Sequence, residues 1–579
     1  MSPAGPALCD VAGSRKTAQP NADFALVYDP EAGIVSATGE CHRRGDRMLF
    51  LSGYTGNRSP HEELLDAYAS EGAAFTSRVP GQYAGVLVDA GRQCLIAFQD
   101  SFGVRTLYYS RRAAIWTFAS DPVHARSAEA PLDPDHAAFY LLGTPDFGGS
   151  TFFAGVRRLT LGQVLILNRR GSSLRRIYIP PRRTDQAPAA REQERLARLV
   201  DDAVVRALEP DRPHLCLFSG GLDSTTVLAF ARRRAKVAAL TIADSHGENG
   251  DDEAFAAPAA AELGVEHLTI DKQLHPPLSL TASPPRPLPG KELNLALHER
   301  LQRIVAERGF PVLLTGIGGD QVFGVRDDRH YGLADSLLSL RLRRFVEDCR
   351  RASAASPQAL HWSRFAAGYA IPAALRWLTG ARVAARPPAM QAPDWIAPAL
   401  VRRARKGRRA GASPFPRIAP PGVQHVWEEL FAVCHNAAAG ALVFDGCETR
   451  HPLLDRPLAE HLLPIDAGRN TRHREDRSLQ REALENILPE PVRRRATKGG
   501  GTAFQERALL HDSELVAMLT ERPILGRLGW IDTGRWRAAV ERARFGLFSN
   551  LGAFQTTICL EIWLQQREAA GERIFASEG

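Results

Sequence analysis

In the stretch CLFSGGLDSTTVLAF, residues 216–230, an apolar run breaks into Ser-Gly-Gly-Leu-Asp-Ser and then resumes at helical spacing. A buried strand that feeds a helix through such a turn gathers backbone N–H groups at the helix N-terminus, where phosphate oxygens bind. Gly220 and Gly221 let the main chain approach an anion closely, and Ser219 and Ser224 add hydroxyl donors. A Walker A loop requires Gly-Lys-Ser/Thr, and no lysine is present here, which excludes that class of nucleotidase. Asp223 changes the chemistry, because a carboxylate beside bound phosphates makes sense mainly as a ligand for Mg2+.

A second acidic loop ends another expected strand, PVLLTGIGGDQVFG, residues 311–324. Ligands of open parallel sheets sit at the carboxyl ends of the strands, so Asp320 and Asp223 are expected to face one triphosphate, with Gly318 in the turn between them. Together the two loops read as a site for ATP and Mg2+. A third element, RRRATKGGG (residues 493–501), places Lys498 in a glycine-flanked loop, where a lysine could stabilise the oxyanion formed when an amine attacks an acyl-adenylate.

The flanking sequence sets these loops in an architecture. Alternating strand and helix patterns from EQERLARLVDDAVVRAL through PVLLTG predict a parallel sheet wound by helices, followed by a mainly helical part beyond Asp327. Upstream, from Phe24 to about Ile179, period-2 alternation broken by polar turns predicts a β-rich domain. The expected division is 1–180 for the first domain, 181–195 for a linker and 196–579 for the second domain. A Pro/Arg/Ala-rich loop or insertion is expected at about 379–421.

Composition agrees with a multidomain globular chain: 579 residues, 44% hydrophobic and 24% charged. No run has the length of a membrane span and the N-terminus lacks an apolar signal core, so no membrane association and a cytoplasmic location are expected. The eight cysteines form no C-x-x-C pair and read as reduced, mostly core residues. The net charge of +8 is spread out apart from RRARKGRRA, residues 402–410, which lacks interleaved aromatics and reads as a solvated loop rather than a nucleic-acid patch.

With these residues in place, SGGLDS, TGIGGD and ETRHPLLDRPLAEHLL (residues 448–463) resemble the ATP-pyrophosphatase domain of asparagine synthetases. DSFGVRTLYY, FASDPVHA and TFFAGVRRLTLGQVL resemble, in order, the glutaminase domain of the same family. The resemblance implies an α+β, N-terminal-nucleophile-type β-sandwich followed by an α/β synthetase domain with a helical C-terminal part. It also implies that the strand ends at Leu217, Thr241 and Ile242 hold adenine through backbone groups. Glu448 or His451 is expected to orient or deprotonate an amine, and Arg450 with Asp455 to form a structural ion pair.

Two departures bear on the reaction. Glutaminase activity in that family uses an N-terminal cysteine, whereas Met1 is followed here by Ser2 and Cys9 is internal, so glutamine hydrolysis is expected to be lost. An amidating domain without an ammonia source must take its amine from the substrate, and ring closure within one molecule does so. β-Lactam synthetases and lasso peptide cyclases are the family branches that close rings. The former carry a tyrosine where Ile317 stands, so the resemblance favours a peptide cyclase. Gln321 also replaces the acidic residue that usually follows Asp320. The implied partners are a core or precursor peptide, a leader peptidase and a leader-binding protein, with no nucleic acid. A β-lactam-type small-molecule cyclase and a non-catalytic scaffold are the alternatives.

Overall fold

The computed structural model describes residues 24–143, 146, 148–181, 189–209, 211–245, 251–275, 286–290, 295–324, 329–355, 361–379, 392–410, 420–438, 444–463, 477–495, 509–510 and 513–574. Its first part is built from β1 (Ala25–Asp29), β2 (Gly33–Thr38), β3 (Cys41–Arg44), β4 (Arg47–Thr55), helix α1 (Pro60–Glu71), β5 (Gly81–Asp89) and β6 (Cys94–Gln99). It continues with β7 (Tyr108–Arg112), β8 (Ile115–Ala119), helix α2 (Pro134–Leu141), β9 (Val156–Arg158), β10 (Gln163–Asn168) and β11 (Gly171–Arg176). The strands form two antiparallel sheets, ordered β2-β1-β8-β7-β9 and β11-β10-β6-β5-β4-β3. Side-chain alternation assigns the faces. Met48, Phe50, Val86 and Ala97 meet Leu26 and Phe118 between the sheets, while Leu49, Leu51, Leu87 and Phe98 turn outward onto Leu64, Leu65 and Tyr68 of α1. The β-rich domain expected from the period-2 pattern is therefore present, as the β-sandwich that the family resemblance implied.

The second part begins with α3 (Ala189–Arg206) and then alternates β12 (His214–Leu217), α4 (Leu222–Ala231), β13 (Val237–Ala243), α5 (Asp251–Glu262), β14 (Glu266–Asp271), α6 (Leu295–Arg308) and β15 (Val312–Leu314). Helices α7 (Arg329–Leu338), α8 (Pro398–Ala410) and α9 (Pro421–Ala438) precede β16 (Glu448–Arg450), and α10 (Arg456–Leu462), α11 (Ser478–Ala483) and α12 (Leu551–Ala569) follow it. The sheet order is β14-β13-β12-β15-β16, parallel throughout. Connections leave β12 toward β13 on one side and β15 lies on the other, so the order reverses between β12 and β15. That reversal opens a crevice at the carboxyl ends of these two strands, the position where open parallel sheets bind ligands.

The two parts share a core. Phe102 of the sandwich lies edge-on to Trp427 and Phe431 of α9 at ring distances of 6.0 and 5.9 Å, and Tyr54, Val104, Leu161 and Tyr178 join the same buried cluster. A second cluster packs α2 against α12. Polar contacts add register: the Gln82 side chain donates to the His451 carbonyl at 2.7 Å and accepts from its N–H at 3.2 Å, and Arg105 pairs with Glu448 at 2.7 Å.

Three expectations are corrected. The helix predicted from Glu192 begins three residues earlier, at Ala189, so residues 189–195 of the expected linker are its first turns. The Pro/Arg/Ala-rich segment contains α8, whose Leu400 and Ala404 are buried one turn apart, so the basic run is helical rather than a loop. Arg450 and Asp455 do not pair with each other: Arg450 is held by Glu448 and Glu209, whereas Asp455 receives both Nε and Nη2 of Arg206 at 2.9 and 2.8 Å. Five of the cysteines are buried, Cys41 and Cys94 are half-buried, all seven are free thiols, and Cys9 lies outside the described residues. Among the described residues no helix is long and apolar enough to cross a membrane.

Asp455 also caps α10 through Leu458 N–H, so Asp455→Ala leaves the half-buried Arg206 guanidinium without its carboxylate and removes a cap. The expected cost is about 1–3 kcal/mol, read as a lower urea midpoint; a midpoint equal to wild type contradicts the assignment.

Candidate active site

The phosphate loop leaves β12 at Phe218, whose N–H bonds Leu240 O at 2.8 Å and whose carbonyl accepts from Thr241 Oγ1 at 2.7 Å. Thr241 is fully buried and also meets His267 Nε2 at 2.8 Å, so its side chain fixes the strand end rather than facing the crevice. Gly220 adopts φ +63°, and a Cβ there would stand 2.6 Å from the backbone N of Ala256. Only glycine fits that close approach. Ser219 Oγ and Ser224 Oγ lie 3.3 Å apart, and Ser224 Oγ accepts from Ser219 N–H at 3.2 Å, which closes the loop on itself at the start of α4. Leu217 and Ile242 are half-buried at the ends of β12 and β13.

The second acidic loop packs directly on this one. A Cβ on Gly316 would lie 2.7 Å from Ser224 N, and one on Gly319 would lie 2.1 Å from Asp223 Cγ. Gly318, at φ +96°, caps the short helix Gly319–Phe323 that carries Asp320. The sheet and these glycines thus bring Asp223 and Asp320 to one point. Both Asp223 oxygens accept from Arg477 Nη1, at 2.7 and 2.8 Å, and Arg477 Nη2 pairs with Asp320. The Arg477 side chain is 4% exposed, and its backbone is left-handed at φ +57°, a conformation that costs a non-glycine residue roughly 1–2 kcal/mol.

Asp223 and Asp320 present hard carboxylate oxygens that already share one cation, the donor type Mg2+ takes alongside phosphate and water oxygens. Gln321 donates its backbone N–H to Gly318 O at 3.1 Å.

Glu448 is 1% exposed at the edge of the sheet, with one oxygen on Arg105 at 2.7 Å and the other on Arg450 Nε at 2.9 Å. His451 is also enclosed: Nδ1 meets Thr315 Oγ1 at 2.7 Å, and burial, aided by Arg105, pushes its pKa down to about 3. It is neutral at pH 7 and too weak a base to be poised for proton abstraction. Lys498 lies outside the described residues.

Sequence reasoning missed Arg477 and underused Arg495. Arg495 donates to the Ser219 carbonyl at 3.2 Å, pairs with Asp252 at 2.8 Å and covers the Phe255 ring at 4.4 Å, tying the phosphate loop to α5. Asp252 is therefore an ion-pair partner as well as an acidic residue of the first helical turn. Arg495 lies in the RRRATKGGG element and Arg477 upstream of it, but the carboxylates they meet, Asp252 for the first and Asp223 and Asp320 for the second, are far away in sequence.

An ATP-type phosphate loop with two carboxylates at the switch point of a parallel sheet, behind an amidotransferase-like sandwich, defines a class. The asparagine synthase family matches residues 195–565, and the glutamine amidotransferase domain matches residues 53–178. The chain belongs to the asparagine synthase family, and its second domain is of the ATP-dependent, amide-forming type. It is 28% identical over 291 residues to "Amidase chyE" of Penicillium rubens, covering 46% of this chain and 43% of that protein. It is 24% identical over 330 residues to asparagine synthetase [glutamine-hydrolyzing] 1 of Bacillus subtilis, covering 52% and 49%. The chain thus spans about half the length of these relatives. The solved glutamine phosphoribosylpyrophosphate amidotransferase of B. subtilis matches at 12% identity over 52% of this chain and 86% of its own, with a TM-score of 0.20, too poor a superposition to bear on the argument.

Gly319→Ala places a methyl group on the Asp223 carboxylate. Pyrophosphate release is expected to fall by roughly 10²-fold or more, the scale of a 1 Å misplacement, with an unchanged circular dichroism spectrum. Gly332→Ala, where a Cβ meets nothing within 4 Å, is the neutral control. Wild-type turnover in Gly319→Ala would falsify the close packing of the two loops.

Proposed function

We propose that the chain is an ATP- and Mg2+-dependent macrolactam synthetase that activates an Asp or Glu side chain of a peptide as its adenylate and closes a ring with the peptide's own N-terminal amine. The observation that carries this is the convergence of Asp223 and Asp320 on one cation beside the Ser219–Ser224 phosphate loop. The carboxylate oxygen attacks the α-phosphorus of ATP and pyrophosphate leaves; the amine then attacks the acyl carbon and AMP leaves with one carboxylate oxygen. The loop N–H groups and the two serine hydroxyls hold phosphate oxygens, and Asp223 and Asp320 hold Mg2+. When bound, Mg2+ neutralises the charge that develops on the departing pyrophosphate.

A peptide rather than a β-lactam-type substrate is supported by Ile317, an apolar side chain packed on the core where β-lactam synthetases carry a tyrosine. An internal amine rather than ammonia is in keeping with a sandwich domain whose Gln82 and Arg105 hold the 448–451 segment. In this reading Lys498 stabilises the oxyanion of the second step, and the proposed partners are a precursor peptide, its leader peptidase and a leader-binding protein, acting in the cytoplasm. One observation favours a second reading, a scaffold without catalysis: Arg477 already neutralises both carboxylates.

The test is pyrophosphate release and mass spectrometry with a core peptide. Wild type is expected to release pyrophosphate and yield a peptide lighter by one water. Asp223→Asn and Asp320→Asn are expected to do neither, because neutral amides cannot replace the charge of a metal-bound carboxylate. Lys498→Ala is expected to keep ATP binding and lose the ring, with a rate penalty on the order of 10²–10³. Cyclisation by either asparagine variant at the wild-type rate removes that residue from the metal site, and a wild type that never releases pyrophosphate favours the scaffold.

A further inference from the structure

Arg477 occupies the position that a metal would have to take. Its fork uses Nη1 on both oxygens of Asp223 and Nη2 on Asp320, so the three carboxylate oxygens that point into the crevice from these contacts point at one guanidinium. Mg2+ binds carboxylate oxygens at about 2.0–2.1 Å and demands near-octahedral order, which leaves no room for a guanidinium nitrogen in the same notch. An arginine, unlike a lysine, cannot vacate the notch by losing its proton, because it stays charged at every physiological pH. It can leave only if a cation takes over the carboxylates and an anion takes over the guanidinium.

We propose that Arg477 is a resident counter-cation that excludes free divalent metal from Asp223 and Asp320, so that Mg2+ enters only together with a nucleotide whose phosphates receive the displaced guanidinium. The inference rests on the reading of these carboxylates as a metal site and adds an order to it: metal binding requires nucleotide. The position is built for such an exchange. The Arg477 side chain is 4% exposed, whereas those of Asp223 and Asp320 are 17% and 35% exposed, so the carboxylates remain open to an incoming cation while the guanidinium is enclosed. Gln480, fully buried, bridges Asp223 Oδ1 at 3.4 Å and Thr226 Oγ1 at 3.2 Å, which keeps the Asp223 carboxylate aimed into the notch whichever cation holds it. Arg495 fixes the Ser219 carbonyl independently, so the phosphate loop does not depend on Arg477 for its shape.

The experiment is Mn2+ binding to the full chain, followed by electron paramagnetic resonance and calorimetry, with and without a non-hydrolysable ATP analogue. Wild type is expected to bind Mn2+ only with the analogue. Arg477→Gln is expected to bind Mn2+ alone at least about ten-fold more tightly than wild type does, and the double variant Arg477→Gln with Asp223→Asn is expected to lose that binding. If Arg477→Gln does not fold, Arg477→Lys replaces it: one ammonium cannot span three oxygens, and metal affinity without nucleotide rises by a smaller factor. Wild type that binds Mn2+ without nucleotide as tightly as the variants overturns the exclusion while leaving the metal site standing. Mn2+ that binds neither wild type with the analogue nor the variants alone overturns the exclusion and the metal-site reading together.

Discussion

Two carboxylates brought to one half-buried notch require a positive charge, and much of the local structure follows from that requirement. The sheet places Asp223 after β12 and Asp320 after β15, where the strand order reverses. Gly316 and Gly319 let the two loops close until no side chain fits between them. Left without a cation, two such carboxylates would repel each other and push the loops apart. Arg477 supplies that charge from a segment 254 residues downstream of Asp223, accepting a left-handed backbone to do so. The chemistry proposed for the site depends on the same demand, since a metal-bound triphosphate meets it in another way.

The sandwich domain contributes to this arrangement as structure. Phe102 is buried among aromatic rings of the synthetase domain, and Gln82 and Arg105 hold the segment that follows the edge of the sheet. Through His451 and Thr315, that segment reaches the first residue of the loop carrying Asp320. A domain so joined shapes the acidic loop whether or not it has chemistry of its own.

Legibility in the sequence followed the range of the interactions. Ser-Gly-Gly-Leu-Asp-Ser and Gly-Ile-Gly-Gly-Asp were readable because strand, turn and helix are local, and because the switch-point rule places both loops together. The β-rich character of the first domain was readable from period-2 alternation, which puts Phe50 and Leu49 on opposite faces, and its sandwich form from the family resemblance. Arg477 was not, since nothing in DRSLQREALE states which distant carboxylates an arginine will meet. The pairing expected of Arg450 with Asp455 failed for the same reason: Arg206 and Glu209, at the end of α3, intervene with better geometry. Proline and arginine content concealed α8, where burial of Leu400 and Ala404 outweighs a composition that suggests a loop.

The central claim is that the chain joins a carboxylate to an amine through an adenylate. A peptide carrying 18O in its acidic side chain tests it directly, because the two routes of ATP activation leave the label in different products. The account predicts one 18O atom in the AMP recovered after ring closure. Label found in inorganic phosphate, with ADP as the nucleotide product, would contradict it.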